Sequence, residues 1–248
     1  MPLQPRPEER LGTRAAESSR SARRLRRLQK ALEASYDTAR EQLAFEGLTV
    51  QLLRVAEVDR LIDRLPRIQF RPAERLPYWA ELWSSAIALA QYLWRETDVQ
   101  GLEVLELGCG LGLPGIVASR KGAAVTLTDY EADALAFARY NALRNGCEQV
   151  SIRHLDWHRP TLDKTYPLII ASDVLYERVN FQPLVRLLQT TLAPRGTLVL
   201  AEPDRPVATH FFRLLRDQGF RYERLTERVE VNHERLEVSI YHGGRKGE

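Results

Sequence analysis

The sequence predicts an α/β fold: a doubly wound, mostly parallel seven-stranded sheet with an antiparallel last strand, preceded by an N-terminal helical and β extension. Three observations predict it. From residue 102 onward, short apolar runs of strand type alternate with helical patterns, the order that builds parallel sheets with helices on both faces. The first run, residues 102–107, enters a loop in which Gly108, Gly110, Gly112 and Gly115 fall almost on alternate positions before a helix begins. After Gly219, two alternating runs at 221–231 and 234–241 are separated by Asn232-His233, as in a closing hairpin.

Taken in order, residues 1–14 hold three prolines and no apolar period and are read as a disordered tail. Residues 15–76 form the extension. Leu25, Leu28 and Leu32 recur at helical intervals, giving one narrow apolar stripe. Leu48, Val50 and Leu52 alternate within 47–55 as in a half-buried strand that packs on the main domain. Residues 58–65 read as a short helix stopped by Pro66, and Pro72 and Pro77 mark a linker. The main domain spans 77–248. Its aromatic opening, Pro77 to Trp83, leads into a helix at 84–95. Strands then follow at 102–107, 123–128, 149–154, 167–172 and 197–201, with helices at 112–122, 133–145, 181–192 and 206–217. Asn145-Gly146 and Pro194 mark helix ends.

Composition bounds the function. The 248 residues, 44% hydrophobic and 28% charged, suffice for one sizeable core plus an accessory segment. Two cysteines and no metal-type clustering of Cys and His speak against a disulfide framework or a metal site and for a reducing compartment. No apolar run approaches the ~20 residues that span a bilayer, so the expectation is a cytoplasmic protein. The net charge is +3, but the first forty residues hold ten Arg or Lys against five Asp or Glu. The basic character is therefore local. Arg20, Arg23, Arg24, Arg26, Arg27 and Lys30 surround the leucine stripe, and a solvated helix face is favoured there over a nucleic-acid contact.

The glycine loop is a place where backbone N–H groups can approach a nucleoside-type ligand. Gly110, Gly112 and Gly115 alone read as the dinucleotide fingerprint, and Asp129, ending the second strand, suits the ribose of NAD or of S-adenosylmethionine equally. Glu106 tips the balance. E-x-G-x-G-x-G from Glu106 to Gly112, with Asp129 after it, resembles motifs I and II of the class I, Rossmann-like methyltransferases that use S-adenosylmethionine. Asp156-Trp157 after the third strand, Ser172-Asp173-Val174-Leu175-Tyr176-Glu177 after the fourth, and Pro77-Tyr78-Trp79 with Leu82-Trp83 upstream extend the likeness. Together they resemble the seven-β-strand branch that holds lysine methyltransferases of non-histone proteins. The match covers roughly residues 78–200.

That resemblance implies S-adenosylmethionine as cofactor and a lysine of a protein substrate as acceptor. The cofactor would be held by Gly108, Cys109, Gly110, Gly112 and Ser172 at the strand ends, with Asp129 on the ribose. Asp156 and Trp157 would meet the adenine, Trp83 the methionine arm, and Glu106 would orient the loop or the methionine amino group. Asp173 and Tyr176 would be catalytic, the acid receiving the amine and the ring lining its channel. Trp79, Glu202 and Arg205 would form the substrate rim. Competing readings stay open: packing alone for the tryptophans, and an N-cap for Asp173. A small-molecule N- or O-methyltransferase, or a non-catalytic nucleic-acid-binding protein of the same fold, also fits. The Asn/Asp-Pro-Pro-Tyr motif of exocyclic-amine DNA methyltransferases is absent, and no cysteine follows the fourth strand as a cytosine-C5 enzyme needs.

Overall fold

The computed structural model describes residues 7–63, 76–231 and 233–245, with the side chains of the first helix described from Arg20 on. The chain opens with helix α1 (Pro7–Ser35), a hairpin of β1 (Thr38–Phe45) and β2 (Leu48–Val55), and a short helix α2 (Val58–Asp63). Helix α1 begins at Pro7, so residues 7–14, expected as part of a disordered tail, are helical. Proline suits a first helical turn, where its missing N–H would have no partner. Residues 1–6 of that tail, together with Leu65, Pro66 and Pro72, lie outside the described residues. Strand β1 was not expected. Every one of its residues is exposed or half-buried, so it carries little apolar alternation, and it exists by antiparallel pairing with β2 across the turn at Gly47.

In the main domain α3 (Ser84–Glu96), β3 (Glu103–Leu107), α4 (Leu113–Arg120), β4 (Ala124–Asp129), α5 (Ala132–Arg144), β5 (Ser151–His154) and β6 (Tyr166–Ser172) follow in turn. Then come α6 (Phe181–Thr191), β7 (Leu192–Glu202), α7 (Ala208–Asp217), β8 (Phe220–Val231) and β9 (Glu234–Arg245). The sheet order is β5-β4-β3-β6-β7-β9-β8. Strands β3 to β7 are parallel, and β9 slots between β7 and β8, antiparallel to both. Strand β7 starts at Leu192 rather than at Thr197. Its pairing with β6 jumps from Tyr166↔Leu192 to Leu168↔Thr197, and Arg195 at φ 59 carries the irregularity.

Successive side chains of a strand face opposite ways, and the core divides accordingly. Val104, Leu168, Ile170 and Val199 pack with α3 and α4 on one face, while Leu105, Leu107, Ile169 and Leu200 pack with α6 and α7 on the other. A third cluster joins Leu32 of α1 and Leu53 of β2 to Phe137 and Tyr140 of α5, with Leu25, Leu28 and Trp79 packed against it. Among the described residues no helix is long and apolar enough to cross a membrane.

Two asparagines bind the extension to the domain. Asn141 accepts from the Leu53 N–H at 2.7 Å and donates to the Leu53 carbonyl at 3.1 Å and the Leu111 carbonyl at 3.0 Å. One turn later, Asn145 repeats the exchange with Gln51, at 2.9 and 2.7 Å. Four helical residues rise about 6 Å and two strand residues about 6.6 Å, so the two amides serve the free edge of β2 as a neighbouring strand would. Asn141 is fully buried. Asn141→Leu should therefore lower the unfolding free energy by about 3 kcal/mol, because it leaves buried backbone groups unpaired at ~1–3 kcal/mol each. Urea unfolding measures this, and a loss below ~1 kcal/mol would mean that packing alone holds the hairpin.

Candidate functional site

From β3 the chain crosses by α4 to β4 on one side, and β6 lies on the other. Ligands of open α/β sheets bind at such a reversal, outside the carboxyl ends of the strands. There the structure has a cavity of about 520 Å³. Trp79, Trp83, Gly108, Cys109, Gly110, Gly112, Asp129, Asp156, Trp157, Ser172, Asp173 and Tyr176 all line it. Residues chosen from five separate stretches of sequence thus meet at one opening.

The loop is held from two sides. Gly110, at φ 48, donates its N–H to Asp129 Oδ2 at 2.9 Å, and a Cβ there would stand 3.3 Å from the Trp79 carbonyl oxygen. Asp129 Oδ1 accepts the Glu131 N–H at 2.9 Å. Burial raises the Asp129 carboxyl above its ordinary value, opposed by those two N–H groups. Below the loop, buried Glu106 accepts the Gly115 N–H at 2.9 Å through Oε2, while Oε1 has no partner. A Cβ on Gly115 would collide with Leu127 and with the Glu106 carboxyl. Burial pushes that carboxyl up to about 8, against the opposing pull of the Gly115 N–H. Glu106, expected to orient the loop or the methionine amino group and counted among the cofactor residues, does not line the cavity; of those two roles the first agrees with its bond to Gly115, which fixes the start of α4 from beneath.

At the other end of the cavity, Asp173 follows β6 in the left-handed region, at φ 59. Its N–H donates to the Ala201 carbonyl at 3.0 Å, and its Oδ1 forms an ion pair with Arg205. It caps no helix: the residues preceding the short turn Arg178–Asn180 and α6 are Glu177 and Asn180, and neither makes a side-chain cap bond. Glu202, fully buried, accepts the Arg205 backbone N–H at 3.0 Å, and its carboxyl is pushed up to about 7 by burial. Glu202 and Arg205, expected at the substrate rim, do not line the cavity. Their order behind Asp173 follows from Arg205 lying three residues past the end of β7, which lets it turn back onto both acids.

Sequence reasoning missed Tyr78. Its ring is 5.0 Å from that of Tyr176 and 6.3 Å from that of Trp83, and Trp83 Nε1–H donates to its carbonyl at 2.8 Å. The signal was its place in the Pro77 to Trp83 run, where the tryptophans drew the attention. Burial, with the charges of Glu177 and Asp129, pushes the Tyr176 phenol up to about 12, so it is a neutral donor near pH 7. Trp79 is shared: it lines the cavity, and its ring lies 5.5 Å from that of Phe137 of the third cluster, tilted against it. Among the described residues the lining carries Glu81, Asp129, Glu131, Asp156, Asp173 and Glu177 against one arginine, Arg178, and a histidine, His158. The field in the cavity favours cations.

A sequence model described as lysine methyltransferase matches residues 76–218. Protein N-lysine methyltransferase METTL21A of Xenopus tropicalis is 33% identical over 139 residues, covering 54% of this chain and 64% of that protein. EEF1A lysine methyltransferase 3 of Mus musculus is 32% identical over 174 residues, covering 67% and 72%. The chain thus spans under two thirds of the length of the first and somewhat more of the second. Among solved structures, a ribosomal protein L11 methylase from Lactobacillus delbrueckii subsp. bulgaricus superposes with a TM-score of 0.56 at 20% identity, covering 67% of this chain and 81% of that one.

Glu106 makes stability depend on pH. With its carboxyl at about 8 in the folded chain against 4.5 ordinarily, the folded form keeps a proton that the unfolded form releases. Stability is full below about 4.5 and falls as pH rises through 8. Urea unfolding of Glu106→Gln at several pH values should show a flatter decline across that window than wild type. An unchanged decline would place its origin elsewhere.

Proposed function

The chain belongs to the lysine methyltransferase family, and on that premise we propose that it is an S-adenosylmethionine-dependent N-methyltransferase acting on a lysine side chain of a protein. The observation that carries this reading is the meeting, in one acidic cavity, of a glycine loop latched to Asp129 with Asp173 and the touching rings of Tyr176 and Tyr78. We assign catalysis to residues 77–248 and treat 15–76 as an extension docked on it. Two buried free thiols, Cys109 and Cys147, accord with a cytoplasmic setting.

The residues fit the cofactor. A carboxylate offers about four acceptor positions, so Asp129 keeps capacity for ribose hydroxyls after serving Gly110 and Glu131. The half-buried Trp157 offers a ring face to the adenine beside Asp156, and Gly108, Cys109, Gly110 and Gly112 leave room for the chain of the methionine. Trp83 closes the side of the methionine arm. The cavity volume is in the range of small-molecule sites, about 300–1,000 Å³. When bound, S-adenosylmethionine supplies an electrophilic methyl group on a sulfonium.

Transfer to an amine needs the nitrogen lone pair aligned and unprotonated, so catalysis here is chiefly positional. A lysine carries its proton up to a pKa of ~10.4 in water. A nitrogen brought against the paired rings of Tyr78 and Tyr176 loses part of its water, which disfavours the charged form, and Asp173 Oδ2, without a partner among the described residues, accepts an N–H and aims the nitrogen. Arg205 holds the other oxygen, so the acceptor cannot swing. The two rings also attract the methylated cation.

Asp129→Ala should weaken S-adenosylmethionine binding by about 1.5–3 kcal/mol, the scale of hydrogen bonds to a charged group, as titration calorimetry measures. Unchanged affinity, or tighter binding of NAD than of S-adenosylmethionine by wild type, would sink the cofactor assignment. Asp173→Asn is the sharper acceptor test, because asparagine tolerates the left-handed backbone and keeps the side-chain shape. It should hold cofactor affinity within about tenfold and cut single-turnover methyl transfer about a hundredfold. Mass spectrometry of the labelled product should locate the methyl group on lysine; arginine, histidine or a small molecule as acceptor would overturn the substrate class.

A further inference from the structure

Helix α1 has an unusual outer face. From Arg20 to Leu32 the sequence holds six cations and no acid, and all six, Arg20, Arg23, Arg24, Arg26, Arg27 and Lys30, are exposed. Among the described residues none of them forms an ion pair. Glu33, three residues past Lys30, accepts from Gln29 Nε2 at 2.8 Å. Like charges stand three or four residues apart at 20–23, 20–24, 23–26, 23–27, 24–27, 26–30 and 27–30, spacings that destabilise a helix. A face needed only for solubility would intersperse acids. Arg139 of α5 also feels the charge of Arg24, which widens the positive field.

The opposite, apolar face of the same helix backs the cavity wall. Leu25, Leu28 and Leu32 of α1 pack in the cluster that includes Leu111 and Trp79, and both of those line the cavity. Tyr36, just past the helix, meets the Trp79 ring edge-on at 5.8 Å. Two opposite fields therefore lie side by side: an acidic cavity and a basic helix. Five of the six are arginines, whose planar forks pair with carboxylates and phosphates alike, and the absence of any aromatic residue among the cations to stack on bases favours the carboxylates.

We propose that the outer face of α1 is a docking surface for an acidic segment of the protein substrate, placed so that a lysine elsewhere on the same substrate enters the cavity. The proposal rests on the lysine-methyltransferase reading for its substrate and on the charge of α1 for its partner chemistry.

The test uses the full chain and a fourfold variant, R23E/R26E/R27E/K30E, checked for folding by circular dichroism. A labelled polyglutamate peptide of about twenty residues and a single-stranded oligo-dT of equal charge are titrated by fluorescence anisotropy, at about 0.05 and 0.15 M salt because screening grows between them. Wild type should bind the peptide at least tenfold more tightly than the variant, with S-adenosylmethionine affinity the same in both. Equal peptide binding by the two forms, no binding by wild type, or tighter binding of oligo-dT than of peptide would each overturn the proposal, the last in favour of a nucleic-acid partner. A second arm follows methyl transfer to lysate proteins with polyglutamate in excess. Transfer by wild type should slow about tenfold, the scale of one decade in affinity, and transfer by the variant should not respond. Wild-type labelling indifferent to polyglutamate would also overturn it. A complete absence of labelling by both forms would instead sink the methyltransferase reading, and the binding titration would still decide whether α1 docks an acidic chain.

Discussion

The hydrogen bond from the Gly115 N–H to the buried carboxyl of Glu106 sets the level of everything above it. It allows α4 to approach β3 and β4 so closely that no side chain fits at Gly115. Burying an ionised carboxyl with one oxygen unpaired would be very costly, and its rise to about 8 means that near neutrality the group is mostly an uncharged acid. The loop above is then fastened by a second carboxyl, Asp129, through the Gly110 N–H. One acid lies in the core and positions the helix; the other stands in the cavity wall and keeps acceptor capacity for a ligand. Both roles need an acid beside the glycines, which is why the motif alone does not tell them apart.

The antiparallel strand has a similar structural purpose. Because β9 lies beside β7, with Glu202 in register with Ser239, its side chains reach the segment that leaves β7. Asp204, at φ 60, accepts from the Ser239 hydroxyl at 2.8 Å and the Tyr241 hydroxyl at 3.2 Å, and pairs with Arg224 of β8. The next residue is Arg205, which pairs with Asp173. The orientation of Asp173 thus traces back through Arg205 to the last two strands of the sheet. Two acids in left-handed backbone, at φ 59 and φ 60, are the cost of bringing that chain of contacts to the cavity, and such strain persists only where surrounding bonds fix it.

Most of the sheet was legible in the sequence because its strands are apolar runs punctuated by glycine and its crossovers have helical period. The cavity wall was legible because strand ends converge by topology, so Asp129, Asp156 and Asp173 could be placed together without knowing any distance. Burial direction was not legible. Glu106, Glu202 and Arg205 are each at or near a strand end, yet all three lie away from the cavity lining, and nothing in the one-dimensional pattern says which way a polar side chain turns. Strand β1 escaped for the opposite reason: with no buried residue it has no periodic signature, and it depends on its partner. The asparagine pair on α5 did leave a signal. Asn is a poor residue for a helix interior, and two of them one turn apart, at 141 and 145, mark a face that serves someone else's backbone.

That pair also determines how the extension relates to the site. Asn141 gives one N–H to the Leu53 carbonyl of β2 and the other to the carbonyl of Leu111 in the glycine loop, so the same amide spans hairpin, helix and loop. Phe137, one turn earlier on α5, meets Tyr36 edge-on and Trp79 at a tilt. The hairpin and the foot of α1 therefore back the side of the cavity lined by Trp79, Leu82 and Leu111, whereas Asp173 stands at the end of β6 and is held by Arg205 from beyond β7. Through Trp79, Leu82 and Leu111 the extension is in contact with the cavity lining. The apolar stripe of Leu25, Leu28 and Leu32 packs in the cluster that holds Trp79, Leu82 and Leu111, three residues of the cavity lining, so the position of α1 is tied to the wall of the cavity by its inner face.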